Sequence, residues 1–323
     1  MAAVALVALT AAISVARSDH RERFHWGASA TARLDQAAID RVVELDTLLN
    51  QPLRTVRLYS LWEDPFPAPD HLWLKDHQRL IVLSIKPQRD DGSIIPWADL
   101  ADAAVGSTVQ TEMTAWAHKI AAFKAPIMII FHHEPETKKN LQYGTAEDFK
   151  RAWIRFVSAV RDAGADNAQF LWTMTDTAFA TQALDRRAAT RWYPGDEVVD
   201  AIGADVYNWF DCRAEAVSWQ SFADLAEPLR RFGLEHPTQR LWLPEFGTVE
   251  DRAQHDRKAE WFIAATETLR AREWNQFAGA VYFDHLDAAF AHCDWLIETS
   301  AESVRAFTLM GKAQLGIDLA KKD

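Results

Sequence analysis

Two glutamates, Glu134 and Glu245, each follow a short apolar run and have the surroundings of reactive carboxyl groups. Glu134 stands in residues 131–136 (FHHEPE), and Glu245 stands in residues 243–247 (LPEFG). Two carboxyl groups can divide the roles of nucleophile and general acid/base between them. Hydrolysis of a glycosidic bond with retention of configuration needs such a pair about 5 to 5.5 Å apart. The question is therefore whether the fold brings the two together.

Short apolar runs alternate with longer amphipathic segments along the 323 residues, a pattern that indicates βα units and a parallel sheet. Eight strands are predicted, at residues 24–28, 55–59, 80–85, 126–131, 169–174, 199–206, 240–246 and 277–283. Helices are predicted at residues 34–49, 97–123, 146–163, 222–232, 255–274 and 303–310. No G-x-G-x-x-G follows the first strand, which disfavours a dinucleotide-binding sheet. The fold class predicted is α/β, a single (β/α)8 TIM barrel.

Active sites of such barrels lie at the carboxyl ends of the strands, where both glutamates are predicted. Strands four and seven lie on opposite sides of the barrel, so their end residues can face each other. Period-two alternation places Leu241, Leu243 and Glu245 on one strand face. Pro135 favours an extended backbone at Glu134, so we expect strand four to continue through the acid.

This arrangement resembles the large clan of (β/α)8 glycosidases that carry an acid/base on strand four and a nucleophile on strand seven. Most of that clan has Asn-Glu on strand four, and the His133-Glu134 pair is similar instead to glycoside hydrolase family 26. Residues 193–200 and 205–209 also resemble the approach to strand six and its end in that family. Two features depart from the family pattern: residues 135–139 (PETKK) replace a small residue and an aromatic-rich loop, and strand eight offers Tyr282 and Phe283 where a tryptophan is common.

The resemblance implies that Glu134 is the general acid/base and Glu245 the nucleophile. It also implies that His133 contacts the sugar or holds Glu134, that Tyr207 donates to Glu245, and that Arg57 keeps Glu245 ionised by its charge. The family contains β-mannanases and some β-glucanases and xylanases. The expected activity is therefore a retaining endo-β-glycanase, with β-mannan favoured over mixed-linkage glucan or xylan, and with no cofactor.

Aromatic rings at strand ends are candidates for flat platforms on which sugar rings pack. These substrate-binding candidates are Trp26, Trp62, Trp209, Trp295 and Tyr282, with Asp284 and Asp294 as candidate partners of sugar hydroxyls. The resemblance adds His133, Arg57 and Tyr207 to the substrate-binding candidates. The alternative for each tryptophan is an anchor packed beneath the rim, and Trp172 and Trp242 are predicted to belong to the core.

The cluster of His132, His133 and Glu134 has a second interpretation as metal ligands. In a regular strand His132 and Glu134 share one face and His133 opposes them, so a bulge would be needed to bring His133 and Glu134 together. Metal-dependent barrel hydrolases gather histidines from several strands, whereas the first strand here has only His25 and strands five to seven have none. We therefore expect no metal, and for His132 a position either in the core or behind the site residues.

Composition narrows the remaining function classes. The net charge of −11 argues against a nucleic-acid partner and against a broad basic face for a polyanionic substrate. Residues 1–17 resemble a signal peptide, no other stretch suggests a membrane span, and residues 18–323 are predicted as one secreted, monomeric domain. Cys212 and Cys293 form either one disulfide after export or two buried thiols in the cytosol. The expected partner is a polysaccharide or oligosaccharide, and a non-catalytic carbohydrate-binding barrel is the alternative.

Overall fold

Eight parallel strands close into a barrel, and each strand pairs with the next and the eighth with the first. A computed structural model describes residues 24–29, 37–213, 218–286 and 293–314. The strands are β1 (His25–Ser29), β2 (Thr55–Leu61), β3 (Leu80–Lys86), β4 (Ile127–Phe131), β5 (Ala168–Thr175), β6 (Ala201–Asn208), β7 (Arg240–Thr248) and β8 (Phe277–Tyr282). The predicted (β/α)8 barrel is confirmed, since every predicted strand is present with its ends within two residues.

Helices surround the barrel between successive strands. They are α1 (Ala38–Leu48), α2 (Pro69–Asp76), α3 (Trp97–Ala101), α4 (Thr108–Phe123), α5 (Ala146–Asp162), α6 (Asp176–Ala180), α7 (Ala189–Trp192), α8 (Phe222–Glu235), α9 (Arg257–Arg270) and α10 (Ala301–Gln314). The single helix predicted at residues 97–123 is wrong. It is divided because Gly106 has a positive φ of 81° and Ser107 caps α4, accepting a bond from the Gln110 amide.

The core has two layers, one inside the barrel and a larger one between the strands and the helices. The interior layer is made by alternate strand residues: Val82, Met128, Ile130, Leu171, Ala201, Trp242 and Val281. The outer layer contains Trp172 and most of the other buried tryptophans, so the core positions predicted for Trp172 and Trp242 are confirmed. Burial of large aromatic side chains on this scale stabilises the fold mainly through the hydrophobic effect.

A disulfide braces the rim at the carboxyl ends of the strands. Cys212 follows β6, Cys293 follows β8, and their Cα atoms lie 5.1 Å apart. Of the two alternatives for these cysteines, the structure therefore has the disulfide. Tyr207, Val249 and Trp295 pack with it in a small apolar cluster.

Two sequence predictions fall on residues that the structure does not describe. The signal peptide predicted at residues 1–17 and the first residues of the helix predicted at 34–49 both lie outside the described ranges. Within those ranges, no helix has both the length and the apolar character needed to cross a membrane.

Candidate active site

Glu245 faces the barrel interior because β7 carries one extra residue just before it. Between the pairs Gly203–Trp242 and Asp205–Glu245, β7 advances three residues while β6 advances two, and the register with β8 shifts in the same segment. Such a bulge reverses the alternation of the side chains that follow. The prediction that Leu241, Leu243 and Glu245 share one face is therefore wrong, since both leucines pack against the helices.

The bulge contains Pro244, which has no N–H to contribute to the ladder. Its ring lies over Gly203 of β6, where an added Cβ would come within 2.8 Å of Pro244 Cγ and 3.1 Å of Leu171 Cδ1. Glycine at 203 thus makes room for the proline, and the proline interrupts the strand one residue before the acid.

Two hydroxyl donors and one cation from two strands hold the buried carboxylate of Glu245. Tyr59 on β2 donates to Oε1 at 2.7 Å, and Tyr207 on β6 donates to Oε2. Arg57, two residues before Tyr59, places Nη2 3.0 Å from Oε1. Charge-assisted bonds of this kind favour the ionised carboxylate. The predicted contacts of Arg57 and Tyr207 with Glu245 are both present, and Tyr59 is an additional donor that the sequence reasoning did not include.

Asp205 lies beside Glu245 and shares Arg57 with it. The Arg57 side chain is fully buried, and Nη1 lies 3.5 Å from Asp205 Oδ1. Burial raises the pKa of Asp205 well above its usual range, and the charge of Glu245 raises it further. Arg57 therefore cannot contact a substrate, and its place among the substrate-binding candidates is wrong; its guanidinium balances two buried acids instead.

The chain leaves the regular strand geometry at the end of β4. β4 ends at Phe131, and both His132 and Glu134 have a positive φ of 50°, so the extended backbone predicted at Glu134 is wrong. Both residues still hydrogen-bond the neighbouring strands, the His132 amide to Ile85 and the Glu134 amide to Thr173. Left-handed backbone at non-glycine residues costs on the order of 1 kcal/mol each, and such strain is concentrated at functional sites.

The sequence predicted that a bulge would be needed to bring His133 and Glu134 to the same site. Left-handed backbone at His132 and Glu134 has that effect instead. His132 is buried on the outer side, where Trp97 Nε1 donates to its Nδ1 at 3.0 Å, as expected for a core histidine. His133 is turned inward, with Nδ1 2.7 Å from Ser84 Oγ and its ring against Tyr59. Burial lowers the pKa of His133 well below its usual range, and the charge of Arg57 lowers it further. The structure thus presents a neutral imidazole beside the two carboxyl groups.

Glu134 lies in the same cleft with a different environment from that of Glu245. Burial raises its pKa, Lys139 opposes the rise, and the negative charge of Glu245 adds to it. Lys139 Nζ lies 3.0 Å from Glu134 Oε2. The Glu134 carbonyl accepts bonds from Thr137 Oγ1 and Asn140 Nδ2, both at 2.9 Å, which fixes the turn that presents the acid.

Two further acids near Glu134 were not predicted. Glu136 is fully buried, its Oε1 accepts from the amide and the hydroxyl of Thr175, and burial raises its pKa to about 7. Asp176 at the start of α6 also has its pKa raised to about 7, mainly by burial and in part by Glu134. Both residues closely follow predicted strands. For Asp176 this position at a strand end was the sequence feature that could have identified it as a cleft residue. The buried position of Glu136 is set by the turn after β4.

Trp209 is the one tryptophan among the sugar-platform candidates that reaches the rim with part of its ring exposed. Its ring packs on Tyr207 and Trp295 at centroid distances of 5.3 and 5.0 Å. Arg213 Cζ lies 3.2 Å from the ring centroid and covers one face. The position leaves Trp209 as a candidate sugar contact.

Several substrate-binding candidates lie outside the cleft, and their predicted role is wrong for this reason. Trp26 is fully buried against Phe307 of α10, with ring centroids 4.8 Å apart. Tyr282 is also fully buried on the helix side, and its hydroxyl donates to the Thr248 carbonyl at 3.1 Å. Strand alternation directs both side chains away from the interior, since proximity to a strand end does not decide which face a side chain occupies.

Asp284, Trp295 and Trp62 are likewise buried and cannot contact a ligand in this structure. Asp284 Oδ2 accepts from Arg41 Nε at 2.8 Å within the helix layer. Trp295 packs edge-to-face under Tyr207, with centroids 5.1 Å apart, and is an anchor beneath the rim. Asp294 remains a candidate on the rim, half-buried, with Oδ1 accepting from the Leu296 amide.

No group of three or more histidine, cysteine or acidic side chains in the described ranges has a geometry that could hold a metal ion. What the cleft does contain is two carboxyl groups in unlike environments. One is held by two hydroxyl donors and an arginine, and the other lies beside a lysine. Unlike environments are how one site supplies an acid and a nucleophile at the same pH.

Comparison with solved structures places this barrel beside known glycosidases. The catalytic domain of the GH26 endo-beta-1,4-mannanase from Bacillus sp. JAMB-750 matches with a TM-score of 0.63 and 16% identity, over 91% of this chain and 87% of that one. A GH26 β-mannanase from Bacteroides ovatus matches with a TM-score of 0.62 and 14% identity, over 91% and 90%. At these identities the likeness shows the fold alone.

Sequence comparison identifies the family. Endoglucanase H of Acetivibrio thermocellus is 26% identical over 165 residues, which are 50% of this chain, and the match spans only 17% of that relative's length. Residues 104–285, more than half of the chain, match the model of glycosyl hydrolase family 26 and include both glutamates. The chain therefore belongs to glycosyl hydrolase family 26 and is a glycoside hydrolase.

Proposed function

We propose that this protein is a retaining endo-β-glycanase acting on β-mannan, with Glu245 as nucleophile and Glu134 as general acid/base. The observation that carries the assignment is the asymmetry of the two carboxyl groups. Tyr59, Tyr207 and Arg57 all stabilise the ionised form of Glu245. Burial and the charge of Glu245 favour the protonated form of Glu134.

In the first step, a Glu245 carboxylate oxygen forms a bond to the anomeric carbon while the glycosidic C–O bond breaks. The bonding electrons go to the leaving oxygen, which takes the Glu134 proton and departs as a sugar hydroxyl. This leaves a glycosyl ester on Glu245 and an ionised Glu134.

In the second step, Glu134 accepts a proton from water as the water oxygen attacks the anomeric carbon. The ester bond breaks, its electrons return to the Glu245 carboxylate, and the released sugar keeps its original anomeric configuration. Tyr59 and Tyr207 stabilise the carboxylate that re-forms. Both acids end the cycle in the protonation states in which they began.

The remaining cleft residues suit a neutral sugar. Neutral His133, held by Ser84, can exchange hydrogen bonds with a hydroxyl group near the bond to be cleaved. Trp209 offers an apolar ring surface at the rim. We propose both as substrate contacts.

The choice of β-mannan rests on the activities for which similar proteins are named. Two of the structures that share the fold come from proteins named as mannanases. The sequence match to Endoglucanase H favours a β-glucan as the second candidate, although the match spans 17% of that protein. A xylan would use the same two glutamates. The net charge of the protein is −11, which is compatible with a neutral polymer as substrate and not with a polyanion.

We further propose that the protein works outside the cytoplasm as a monomer. The disulfide between Cys212 and Cys293 supports this location, because such bonds persist in oxidising compartments. The signal peptide predicted at residues 1–17 points the same way.

The test is reducing-sugar release from β-mannans, mixed-linkage β-glucans and xylans, with wild type beside Glu245→Gln and Glu134→Gln. Proton NMR of the first product formed reports the anomeric configuration. Gln keeps the size of each side chain and removes its charge, so both variants should fold with unchanged circular dichroism.

We expect wild type to cut mannan with retention, and E245Q to lose at least about 10³-fold in kcat because no nucleophile remains. Cleavage of glucan alone would replace mannan by the second candidate. Binding to a polymer without any release of reducing ends would contradict a catalytic role and favour a carbohydrate-binding protein. Inversion at the anomeric carbon would contradict the double displacement.

A further inference from the structure

Lys139 makes direct contact with the acid/base candidate. It follows β4 in a 3-10 turn, residues Lys138–Tyr143, and its Nζ lies 3.0 Å from Glu134 Oε2. The Lys139 side chain is 64% exposed, whereas that of Glu134 is 15% exposed. The ammonium therefore approaches from the open side of the cleft, where a bound glycosidic oxygen would have to reach the carboxyl group.

The ion pair opposes the protonation state that the first chemical step needs. An acid that donates a proton must be protonated in the free enzyme, and a cation at hydrogen-bond distance favours its ionised form. Lys139 lowers the pKa of Glu134 against the effect of burial, and Glu134 in turn raises the pKa of Lys139. Each partner thus stabilises the charged form of the other.

Other charged and titratable groups around the Glu134–Lys139 pair and Glu245 come from nearly every strand that borders the cleft. They are Arg57 and Tyr59 from β2, Lys86 from β3, His133 and Glu136 from the β4 segment, Asp176 after β5, Asp205 and Tyr207 from β6, and Glu245 from β7. Among the contacts of Glu134 in the described part of the chain, Lys139 is the cation at ion-pair distance. The other nearby cation, Arg57, is paired with Glu245 instead.

We propose that Lys139 is a positioning residue that pairs with Glu134 in the free enzyme, is displaced when a glycosidic oxygen binds, and thereby sets the upper pH limit of activity. The inference rests on the proposed function, since it takes Glu134 as the acid/base. It assigns a role to one of the residues in which this chain departs from the family pattern after His-Glu.

Displacement has a kinetic consequence for the two steps. Before the first step Lys139 must leave Oε2, so the ion pair competes with the leaving-group oxygen. After proton donation Glu134 is ionised, and Lys139 can pair with it again while water enters. The pair therefore affects the free enzyme, which kcat/KM reports, more than it affects the loaded enzyme.

The experiment compares Lys139→Met, Lys139→Arg and Lys138→Met with wild type. Met has a similar length and no charge, and Arg keeps the charge. Lys138 is the matched control, because it is the adjacent exposed lysine of the same turn and no ion pair joins it to Glu134. The pH dependence of kcat/KM is measured on the polymer identified by the panel, at about 0.1 M and about 1 M NaCl.

A second readout does not depend on turnover. Carboxyl carbons of glutamate are labelled with ¹³C, and Glu134→Gln identifies the resonance of residue 134. Its titration is then followed by NMR in wild type and K139M. Thermal melting checks that the variants are folded, which we expect because Lys139 is exposed.

In K139M we expect the alkaline limb of kcat/KM and the NMR titration of Glu134 to move to higher pH by about one unit. K139R and K138M should stay close to wild type. In 1 M salt the Debye length falls from about 10 Å to about 3 Å, so the wild-type limb should move towards that of K139M, and the K139M limb should not move.

Coincident limbs for wild type and K139M, with wild type active, would overturn the inference and leave the proposed function intact. A wild type that releases no sugar from any polymer would overturn the proposed function. In that case an NMR titration of Glu134 that shifts in K139M would still establish the pairing of Lys139 with Glu134. A titration that does not shift would overturn the pairing together with the proposed function.

Discussion

Replacing Tyr207 by Phe removes one hydrogen bond to Glu245 and leaves the ring in place. The hydroxyl of Tyr207 donates to Oε2, while Tyr59 and Arg57 remain on Oε1. In the proposed mechanism the carboxylate loses its charge when the glycosyl ester forms and regains it when the ester breaks. We therefore expect Y207F to slow the second step more than the first.

The size of the effect follows from the burial of the bond. Tyr207 is 8% exposed and Glu245 is 6% exposed, so water cannot replace the lost donor fully. A hydrogen bond to a charged group contributes about 1.5 to 3 kcal/mol. If the whole contribution acts on the breaking of the ester, the rate of that step falls roughly 10- to 150-fold.

Stopped-flow kinetics with an activated aryl glycoside measures this directly. A dinitrophenolate leaving group needs no proton, so the first step stays fast and a slower second step produces a burst of one phenolate per active site. Mass spectrometry of the quenched enzyme should then show a covalent glycosyl adduct on Y207F.

Tyr143→Phe is the matched control, because the Tyr143 hydroxyl makes no hydrogen bond with any described residue and the ring packs on His132, outside the cleft. Y59F, which removes the donor to Oε1, should behave like Y207F. No burst, no adduct and a kcat within twofold of wild type would refute the argument that Tyr207 stabilises the departing carboxylate.

Three further predictions concern stability. Burial raises the pKa of Glu136 from 4.5 to about 7, so its stabilising contribution is full below about pH 4.5 and is lost as the pH rises through 7. Measured by chemical denaturation, E136Q should raise the free energy of unfolding by about 3 kcal/mol at pH 8 and leave it unchanged at pH 4. Reduction of Cys212–Cys293, which are 81 residues apart, should cost roughly 3 to 4.5 kcal/mol and lower the thermal midpoint. Replacing buried Arg57 by Met leaves the Asp205 carboxyl without its cation and should destabilise the protein by about 3 to 5 kcal/mol in urea.

Each of these has a control. Stability of E136Q that exceeds wild type equally at pH 4 and pH 8 would exclude titration of Glu136 as the cause. A thermal midpoint that falls with reductant in a Cys212→Ser, Cys293→Ser variant would show that the disulfide is not responsible. Asp205→Asn in the R57M background should restore part of the loss, and strictly additive effects would contradict the ion-pair argument.

The barrel and the two glutamates of its cleft could be predicted from the sequence. A parallel strand covered on both sides is an apolar run whatever its neighbours are, and residues 127–131 (IMIIF) need no tertiary context to be recognised. Glu245 ends such a run, and Glu134 follows one after two histidines. The contacts of Arg57 and Tyr207 with Glu245 followed from the family resemblance and are present.

Which way each side chain faces was decided by the tertiary structure. Alternation along β7 would have directed Glu245 towards the helices, and the bulge at Pro244, fitted over Gly203 of the adjacent strand, reverses it. At the end of β4, left-handed backbone at His132 turns the chain so that His133 faces the cleft. A period of two holds only while the strand is regular, and these irregularities are stabilised by neighbouring strands.

Tertiary structure also decided which side chains surround the acids and which are hidden. Tyr59 and Asp205 reach Glu245 from other strands through the register of the closed barrel. Trp26 and Tyr282 lie near strand ends in the sequence and yet belong to the layer beneath the helices. The strands could be predicted from the sequence because they depend on local hydrophobicity, and so could the two glutamates that follow them. Their partners depend on register, closure and packing, which join residues that are far apart in the chain.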